Sequence, residues 1–495
     1  MTTRRPAWLP LGVALLLKLT VSVALLLGGF HAISDDDFAR VAIAQGFAAA
    51  PALDPSGTSW LPLPFWLTGG CMLIFGNDFM VARGVALALG LVATALCYLS
   101  ARWLGMAAKP SAVGAALATL FPYAALLGVA TVPEAFSAAC VVAGVASCAR
   151  AEVSARLLGA VLLSLASLCR YEAWPVAFGF AAYCCWDAVR SLRQPPAPGR
   201  GHAGALLAAG LLALSGAGLW LLHGAHSHGD ALFFVDRVAA YRRAVGAAPA
   251  SIWARLLGYP LGFLRGEPEL VLGAACASAW AWLAQRRAGA TAAAATPLNG
   301  SRWLRPWLLL CLMLASLIYG DLRDGAPTHH AERAVLALWT LGALWFVHVC
   351  WVLLREPERR RRAAALGLAC LLLGGLILRP WYARRDSFID RTQALAAGAA
   401  ARQLGAERLG VATTDFGFYA VMVGYRAPPD VVSLRDNDPR SRDAIDPLGS
   451  PGALRAALAA ADVRWVALPT SHAALALAVG EERFKNQRWI IVTLR

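Results

Sequence analysis

Charge is scarce in this sequence. Only 15% of its 495 residues are Asp, Glu, Lys or Arg, while 58% are hydrophobic. An ordinary soluble domain carries about 25% charged residues, so a chain folded wholly in water is excluded. Lysine is nearly missing, with Lys18, Lys109 and Lys485 the full set; beside abundant Arg and Ala, this points to a GC-rich bacterial genome. No two of the 11 cysteines stand as Cys-x-x-Cys, and none follows residue 385. A disulfide framework or a zinc cluster of the usual spacing is thereby unsupported; the cysteines lie mostly in apolar runs and read as small packing residues. There is no Walker loop and no Gly-x-Ser-x-Gly elbow, so ATP-driven transport and serine hydrolysis lack their signatures. No basic helix interleaved with aromatics appears, and no nucleic-acid partner is expected.

What the chain does have is a series of apolar runs near the ~20 residues that cross a bilayer. The first, Ala7 to Phe30, follows Arg4-Arg5 without a small-residue cleavage site and reads as an uncleaved span. Further spans are expected over 81–104, 111–130, 133–149, 156–170, 172–189, 203–222, 268–284, 303–319, 332–354 and 363–380. The stretch Leu61 to Phe75 is short and Pro-rich at its start, and reads as a juxtamembrane helix. Basic gaps (Arg102/Lys109, Arg150/Arg156, Arg190/Arg193/Arg200, Arg286/Arg287/Arg302/Arg305, Arg359 to Arg362) alternate with gaps holding the acids. The positive-inside rule assigns the basic set to the cytoplasm, giving about eleven spans with the C-terminus outside. The formal charge of +15 fits this: residues 385–495 hold 14 Lys+Arg against 12 Asp+Glu, the preceding part 31 against 18.

The fold class is therefore an α-helical polytopic membrane protein over residues 1–384, followed by a small extracytoplasmic α/β domain over 385–495. In the tail, 408–414, 463–468 and 489–494 have the β-branched and aromatic composition of short strands. The Ala-rich stretches 392–405 and 451–461 suit helices, and 429–447, rich in Asp, Arg and Pro, reads as a surface loop.

The stretch that organises the chain is Ile33-Ser34-Asp35-Asp36-Asp37-Phe38-Ala39-Arg40, directly after the first span. Carboxylates beside hydrocarbon are costly unless a partner or a watery cavity receives them, although acids also favour the positive end of a helix. The loop it opens ends at Trp60-Leu61-Pro62-Leu63-Pro64-Phe65-Trp66. That order, an acidic group after the first span and then a Pro-Leu-Pro-aromatic-Trp helix, resembles the GT-C membrane glycosyltransferases. Within them it is similar to the protein mannosyltransferase, aminoarabinose-transferase and Rgt-like branch. Phe75-Gly76-Asn77-Asp78-Phe79-Met80-Val81-Ala82-Arg83, Cys169-Arg170-Tyr171-Glu172-Ala173-Trp174 and Thr328-His329-His330-Ala331-Glu332-Arg333 follow in the family's order.

The resemblance implies transfer of a hexosyl or pentosyl group from a polyprenyl-phosphate donor to a lipid, glycan or protein acceptor, with inversion, on the outer membrane face; the composition makes that membrane a bacterial inner membrane. Such a reaction needs a carboxylate to take the acceptor's proton and cations to hold the phosphate. The resemblance points to Asp36 as base, with Asp35 and Asp37 as alternates. It gives Arg333, His330, Arg170 and Arg83 to the phosphate, beside Arg40 and His329 on the same side, since the guanidinium fork suits phosphate. Arg170 fits an interfacial ion pair equally well. Glu134, Glu172 and Trp60 would orient the acceptor, or Glu134 would cap its helix. The resemblance fixes no cofactor and leaves a divalent cation open. His223, His226, His228 and Asp230 invite a metal reading, but without a second ligand set nearby they read as solvated surface. Two rivals remain: a transporter or flippase for a lipid-linked sugar, which should bury charge at mid-membrane, and a non-catalytic assembly protein on the same scaffold.

Overall fold

A computed structural model describes residues 8–193, 199–244, 251–293, 301–323, 330–355, 358–383, 388–414, 416–434 and 446–494. Arg4, Arg5, His329 and residues 435–445 of the expected surface loop lie outside them.

Helix α1 (Trp8–Leu27) buries only Ala14, Lys18 and Ser22. These are spaced i, i+4, i+8, so one narrow stripe meets the bundle and the rest faces outward. Gly29, at φ +91°, then turns the chain into α2 (Asp36–Ala49), which packs beside α3 (Leu63–Phe75). Helix α4 (Phe79–Trp103) is capped by Asp78, whose carboxylate accepts the Met80 N–H at 2.8 Å.

The next span is broken. Helix α5 (Ala108–Leu120) stops at Phe121, and α6 (Pro122–Leu127) resumes after it, because a residue before proline is driven out of the helical region. The break frees two backbone groups that a continuous helix would pair, and both find side chains. The Thr119 carbonyl accepts from Lys18 Nζ at 3.1 Å, and the Tyr123 N–H donates to Glu267 at 2.8 Å. A buried lysine and a buried glutamate thus satisfy what a proline disrupts.

Then come α7 (Glu134–Ser147), α8 (Val153–Ser167), α9 (Ala173–Arg193) and α10 (Gly199–His228). Helices α11 (Phe233–Ala244) and α12 (Ile252–Gly266) lie between α10 and α13, and α13 (Pro268–Ala293), α14 (Ser301–Leu322), α15 (Ala331–Ala334), α16 (Leu336–Arg355) and α17 (Arg359–Ala383) follow. Helix α7 is the hub: every residue but Ala135 is buried. Its small side chains allow close approach, as at Gly144, where a Cβ would strike Leu163 of α8.

A helix thus stands at each expected span. Among the described residues five are long and apolar enough by themselves to cross a bilayer: Trp8–Leu27, Phe79–Trp103, Gly201–His228, Arg302–Leu322 and Leu336–Arg355. Others, such as the 14-residue α7, are shielded by neighbours rather than by their own length. The chain is a multi-pass membrane protein.

The tail forms a five-stranded sheet of order β2-β1-β3-β5-β4, from β1 (Leu409–Val411), β2 (Val431–Ser433), β3 (Trp465–Pro469), β4 (Gly480–Lys485) and β5 (Trp489–Leu494). Strand β1 runs parallel to β2 and β3, and β5 antiparallel to β3 and β4. Side chains alternate between two cores. Val466, Leu468, Ile490 and Val492 pack under α20 (Pro451–Ala460) and α21 (Ala473–Val479). Ala467, Trp489 and Ile491 face α18 (Thr392–Gln403) and α19 (Phe418–Tyr425), and that layer is continuous with Phe38, Val41 and Met72 of α2 and α3. Strand β2 lies inside the stretch 429–447 expected as a surface loop, and β4 lies where no element is expected. They are the two edges, one only three residues long and the other Gly-Glu-Glu-Arg-Phe-Lys, so neither shows an apolar alternation.

Helices α18 and α19 cross through Gly398 and Gly424; a Cβ on Gly424 would run into the Leu395 carbonyl, which is backbone and cannot yield. Gly424→Ala is expected to lower stability by at least ~1–3 kcal/mol, the usual cost of overpacking. Gly452→Ala in α20, with open space around it, should leave the thermal melt unchanged or raised.

Candidate active site

Successive helical residues point about 100° apart, so three consecutive aspartates at the start of α2 cannot share one task. Asp35, the residue before the helix, faces the tail and pairs bidentately with Arg391, both contacts at 2.9 Å. Asp37 turns inward and is fully buried. Its Oδ2 accepts the backbone N–H groups of Ile33 and Ser34, and its Oδ1 accepts the Thr131 N–H at 3.0 Å. The Thr131 hydroxyl also donates to the Asp37 carbonyl at 3.0 Å. Burial pushes the Asp37 carboxyl above the ordinary aspartate range, against the pull of Arg83 and Arg333. Asp36 points between the two others. Its side chain is 42% exposed, and its Oδ2 accepts from Arg333 Nη1 at 3.0 Å.

Arg333 sits on α15, buried; its Nη2 donates to the Ser34 hydroxyl at 2.7 Å, while its buried Nε has no hydrogen-bond partner. Burial weighs against its charge, but Glu134 and Asp36 outweigh that and keep the guanidinium firmly protonated. Glu134, at the start of α7, accepts from Arg170 at 2.9 Å and lies 3.9 Å from Arg333. Its Oε2 is buried and finds no hydrogen-bond partner. Arg170 also bonds Glu172 at 2.7 Å.

Arg40, one turn after Asp36 and Asp37 on the same face, completes the group. Its guanidinium lies 4.4 Å over the Trp60 ring, and that ring stacks on Phe65 at 6.2 Å. Its Nε is buried without a hydrogen-bond partner. Arg40 also lines a cavity together with Phe65, Thr131, Pro133, Phe136 and Cys169. Leu89 and Gly90 of α4 line the same cavity, so a cation shares it with mostly apolar walls.

The structure therefore brings Asp36, Arg333, Glu134, Arg170, Glu172 and Trp60 to one rim, with Arg40 among them. It sets others apart. Arg83 is buried, donating to the Val129 carbonyl at 2.6 Å and to the His31 carbonyl, with its plane against Phe79; its fork is taken up in joining loops. The His330 side chain is 43% exposed and lies 3.9 Å from Glu332. Ser34 and Thr131 escaped sequence reading, since a lone hydroxyl residue carries no pattern. The Glu267–Arg379 pair beneath Tyr123 was also unforeseen. The spacing Gly199-x-Gly201-x-x-Gly204 occurs at the start of α10, but after a helix; without a preceding strand it lacks the context of a dinucleotide site. Of the histidine-rich stretch, His226 is exposed and Asp230 caps the turn into α11 by accepting the Leu232 N–H.

Residues 56–216, from the loop after α2 through most of α10, match the family described as dolichyl-phosphate-mannose-protein mannosyltransferase. No curated protein matches the sequence. Among solved structures, ArnT from Cupriavidus metallidurans bound to undecaprenyl phosphate superimposes with a TM-score of 0.60 at 14% identity, over 98% of this chain and 97% of that one. The apo oligosaccharyltransferase of Archaeoglobus fulgidus gives 0.58 at 11% identity, over 96% of this chain and 71% of that one. Its archaeal AglB complex with an inhibitory peptide and a dolichol-phosphate gives 0.53 at 13% identity, over 95% and 72%. The chain has the GT-C fold of membrane glycosyltransferases, and its residues 56–216 carry the dolichyl-phosphate-mannose-protein mannosyltransferase signature.

Proposed function

We propose that this protein transfers a sugar from a polyprenyl-phosphate-linked donor to an acceptor hydroxyl at the extracytoplasmic face, with inversion. The observation that carries the reading is the Asp36–Arg333 contact: one partly exposed carboxylate on a buried, fixed guanidinium. Arg333 and Arg40 would receive the donor phosphate. The acceptor oxygen attacks the anomeric carbon while Asp36 takes its proton, and the bond from that carbon to the phosphate oxygen breaks. Polyprenyl phosphate leaves with the bonding pair, its charge held by the guanidiniums. One displacement inverts the anomeric centre. The match to a mannosyltransferase family and the similarity to ArnT bound to undecaprenyl phosphate and to AglB in complex with a dolichol-phosphate support a lipid-linked donor. Asp35, committed to Arg391, and Asp37, committed to backbone donors, are left in supporting roles.

Asp36→Asn should lower turnover by about 10²- to 10⁴-fold, the usual weight of a general base, with an unchanged melt. It would be measured as radiolabelled sugar leaving a purified polyprenyl-phosphate donor. Activity retained in that variant, with Asp35→Asn the one that loses it, would overturn the assignment. Arg333→Lys keeps the charge but loses the fork; the removed charge-assisted bond, ~1.5–3 kcal/mol, should raise the apparent KM for the donor about tenfold or more. An unchanged donor KM would remove Arg333 from the phosphate site. For the facing, a cysteine placed at Ser433 should react with an impermeant maleimide in intact cells while one at Arg360 should not; the reverse pattern would invert the topology.

A further inference from the structure

Three buried polar atoms at the rim have nothing in the protein to bond. The Glu134 side chain is 0% exposed. Its Oε1 accepts from Arg170 at 2.9 Å, while Oε2 has no hydrogen-bond partner. The Nε groups of Arg40 and Arg333 are buried and unpartnered too. An oxygen lacking a donor and two nitrogens lacking an acceptor thus stand in one cluster. Arg333 lies 3.9 Å from Glu134, and Arg40 is within electrostatic reach of Glu134 and Asp36. Pro133 and Ala135, the chain neighbours of Glu134, line the cavity that Arg40 and Thr131 also line. Groups left bare in this way are costly, and in native structures each calls for an explanation.

The chemistry of the missing partner can be narrowed. A carboxylate flanked by two guanidiniums only accepts hydrogen bonds, so Oε2 calls for a donor. The ionised oxygens of a phosphodiester supply none; a hydroxyl or an ammonium does. An ammonium is disfavoured, because Arg170, Arg333 and Arg40 already crowd the carboxylate and would repel a fourth cation. A neutral hydroxyl remains. Exposure then separates donor from acceptor. Asp36 and Glu134 both face Arg333 Nη1, but Asp36 is partly open and meets what arrives from water, whereas Glu134 is wholly enclosed. The group nearest a phosphate held by Arg333 is the sugar esterified to it. A glycosyl phosphate carries hydroxyls for Oε2 and anionic oxygens for the guanidiniums in one molecule.

We infer that Glu134 Oε2 accepts a hydroxyl of the sugar on the lipid-linked donor, and so selects which sugar is transferred. This rests on the donor reading given above. Motif order assigns Glu134 to the acceptor; its burial moves it to the donor. Arg170, which bonds Glu134 and Glu172 at once, fixes the carboxylate, so Oε2 is presented in one orientation. A donor without the matching hydroxyl leaves a buried carboxylate oxygen bare, and sites built to bond a hydroxyl reject the analogue that lacks it.

The test measures binding by the full-length chain in detergent, with undecaprenyl phosphate and its mannosyl, glucosyl, galactosyl and arabinosyl phosphodiesters as probes. The wild type should bind one of these glycosides at least about tenfold more tightly than bare undecaprenyl phosphate, the weight of a hydrogen bond to a charged group. One monodeoxy derivative of that glycoside should lose the gain. In Glu134→Gln the ratio of glycoside to bare-lipid affinity should fall to within about twofold of unity, because the charged acceptor is gone. Glu134→Asp keeps the charge beside Arg170 but draws the oxygen back by a methylene; it should lower the ratio as well, and it serves where Glu134→Gln does not fold. A ratio in these variants as large as in the wild type overturns the inference. So does a wild type that binds no glycoside better than the bare lipid, or that binds every monodeoxy derivative as well as the parent. A wild type that does not bind undecaprenyl phosphate at all overturns the donor reading itself, which keeps the two failures apart.

Discussion

The rim of this molecule is set by one buried carboxylate. Asp37 accepts backbone N–H groups from its own loop and from Thr131, joining the segment after α1 to the segment before α7. Because it is fixed there, helical geometry dictates where its two neighbours go: one toward the tail, one toward the opening. A tripled acid that looks redundant in sequence is three distinct attachments. The middle one retains the most solvent access, 42% of its side chain against 21% for Asp35 and none for Asp37, and that access is what a proton acceptor needs.

Around it, charges are arranged as a web rather than as pairs. Glu134 lies between Arg170 and Arg333, and Arg333 reaches on to Asp36 and Ser34. Buried ions are tolerable only when enough partners surround them, and here each guanidinium is shared. Arg40 is held by an aromatic face instead, an interaction that fixes its position while leaving nitrogens unspent. A ligand with several anionic oxygens is the natural complement to such a set, since it can engage two forks at once.

Much of this was legible from residues alone, because hydrophobic runs and basic gaps are linear signals. Each expected span has its helix, and the fold class stands. The three apolar strands of the tail were visible through their β-branched residues; the two edge strands were not, because an edge is kept short or charged and so loses the pattern that betrays a strand. Within the site, the sequence could bring Asp36 and Arg333 together only through motif order. It could not separate the tasks of three adjacent aspartates, which depend on helical phase and on partners hundreds of residues away. Arg83 shows the converse: its motif position is as expected, but two carbonyls occupy its fork. The pairing of Lys18 and Glu267 with the interrupted helix was invisible for a similar reason, since it answers a backbone need that proline creates and no side-chain pattern announces.

The layer shared by α2, α18 and α19 has a further consequence. Phe38 and Val41 belong to the same helix as the candidate base, and their apolar faces are covered by the tail, which is also bonded to that helix through Arg391 and through Gln45 to the Val423 carbonyl at 3.1 Å. The sheet unit therefore acts as the lateral wall of the helix that presents Asp36. Anything that shifts that unit would push directly on the mounting of the Asp36 carboxylate, so the position of the tail and the geometry of the rim share one lever.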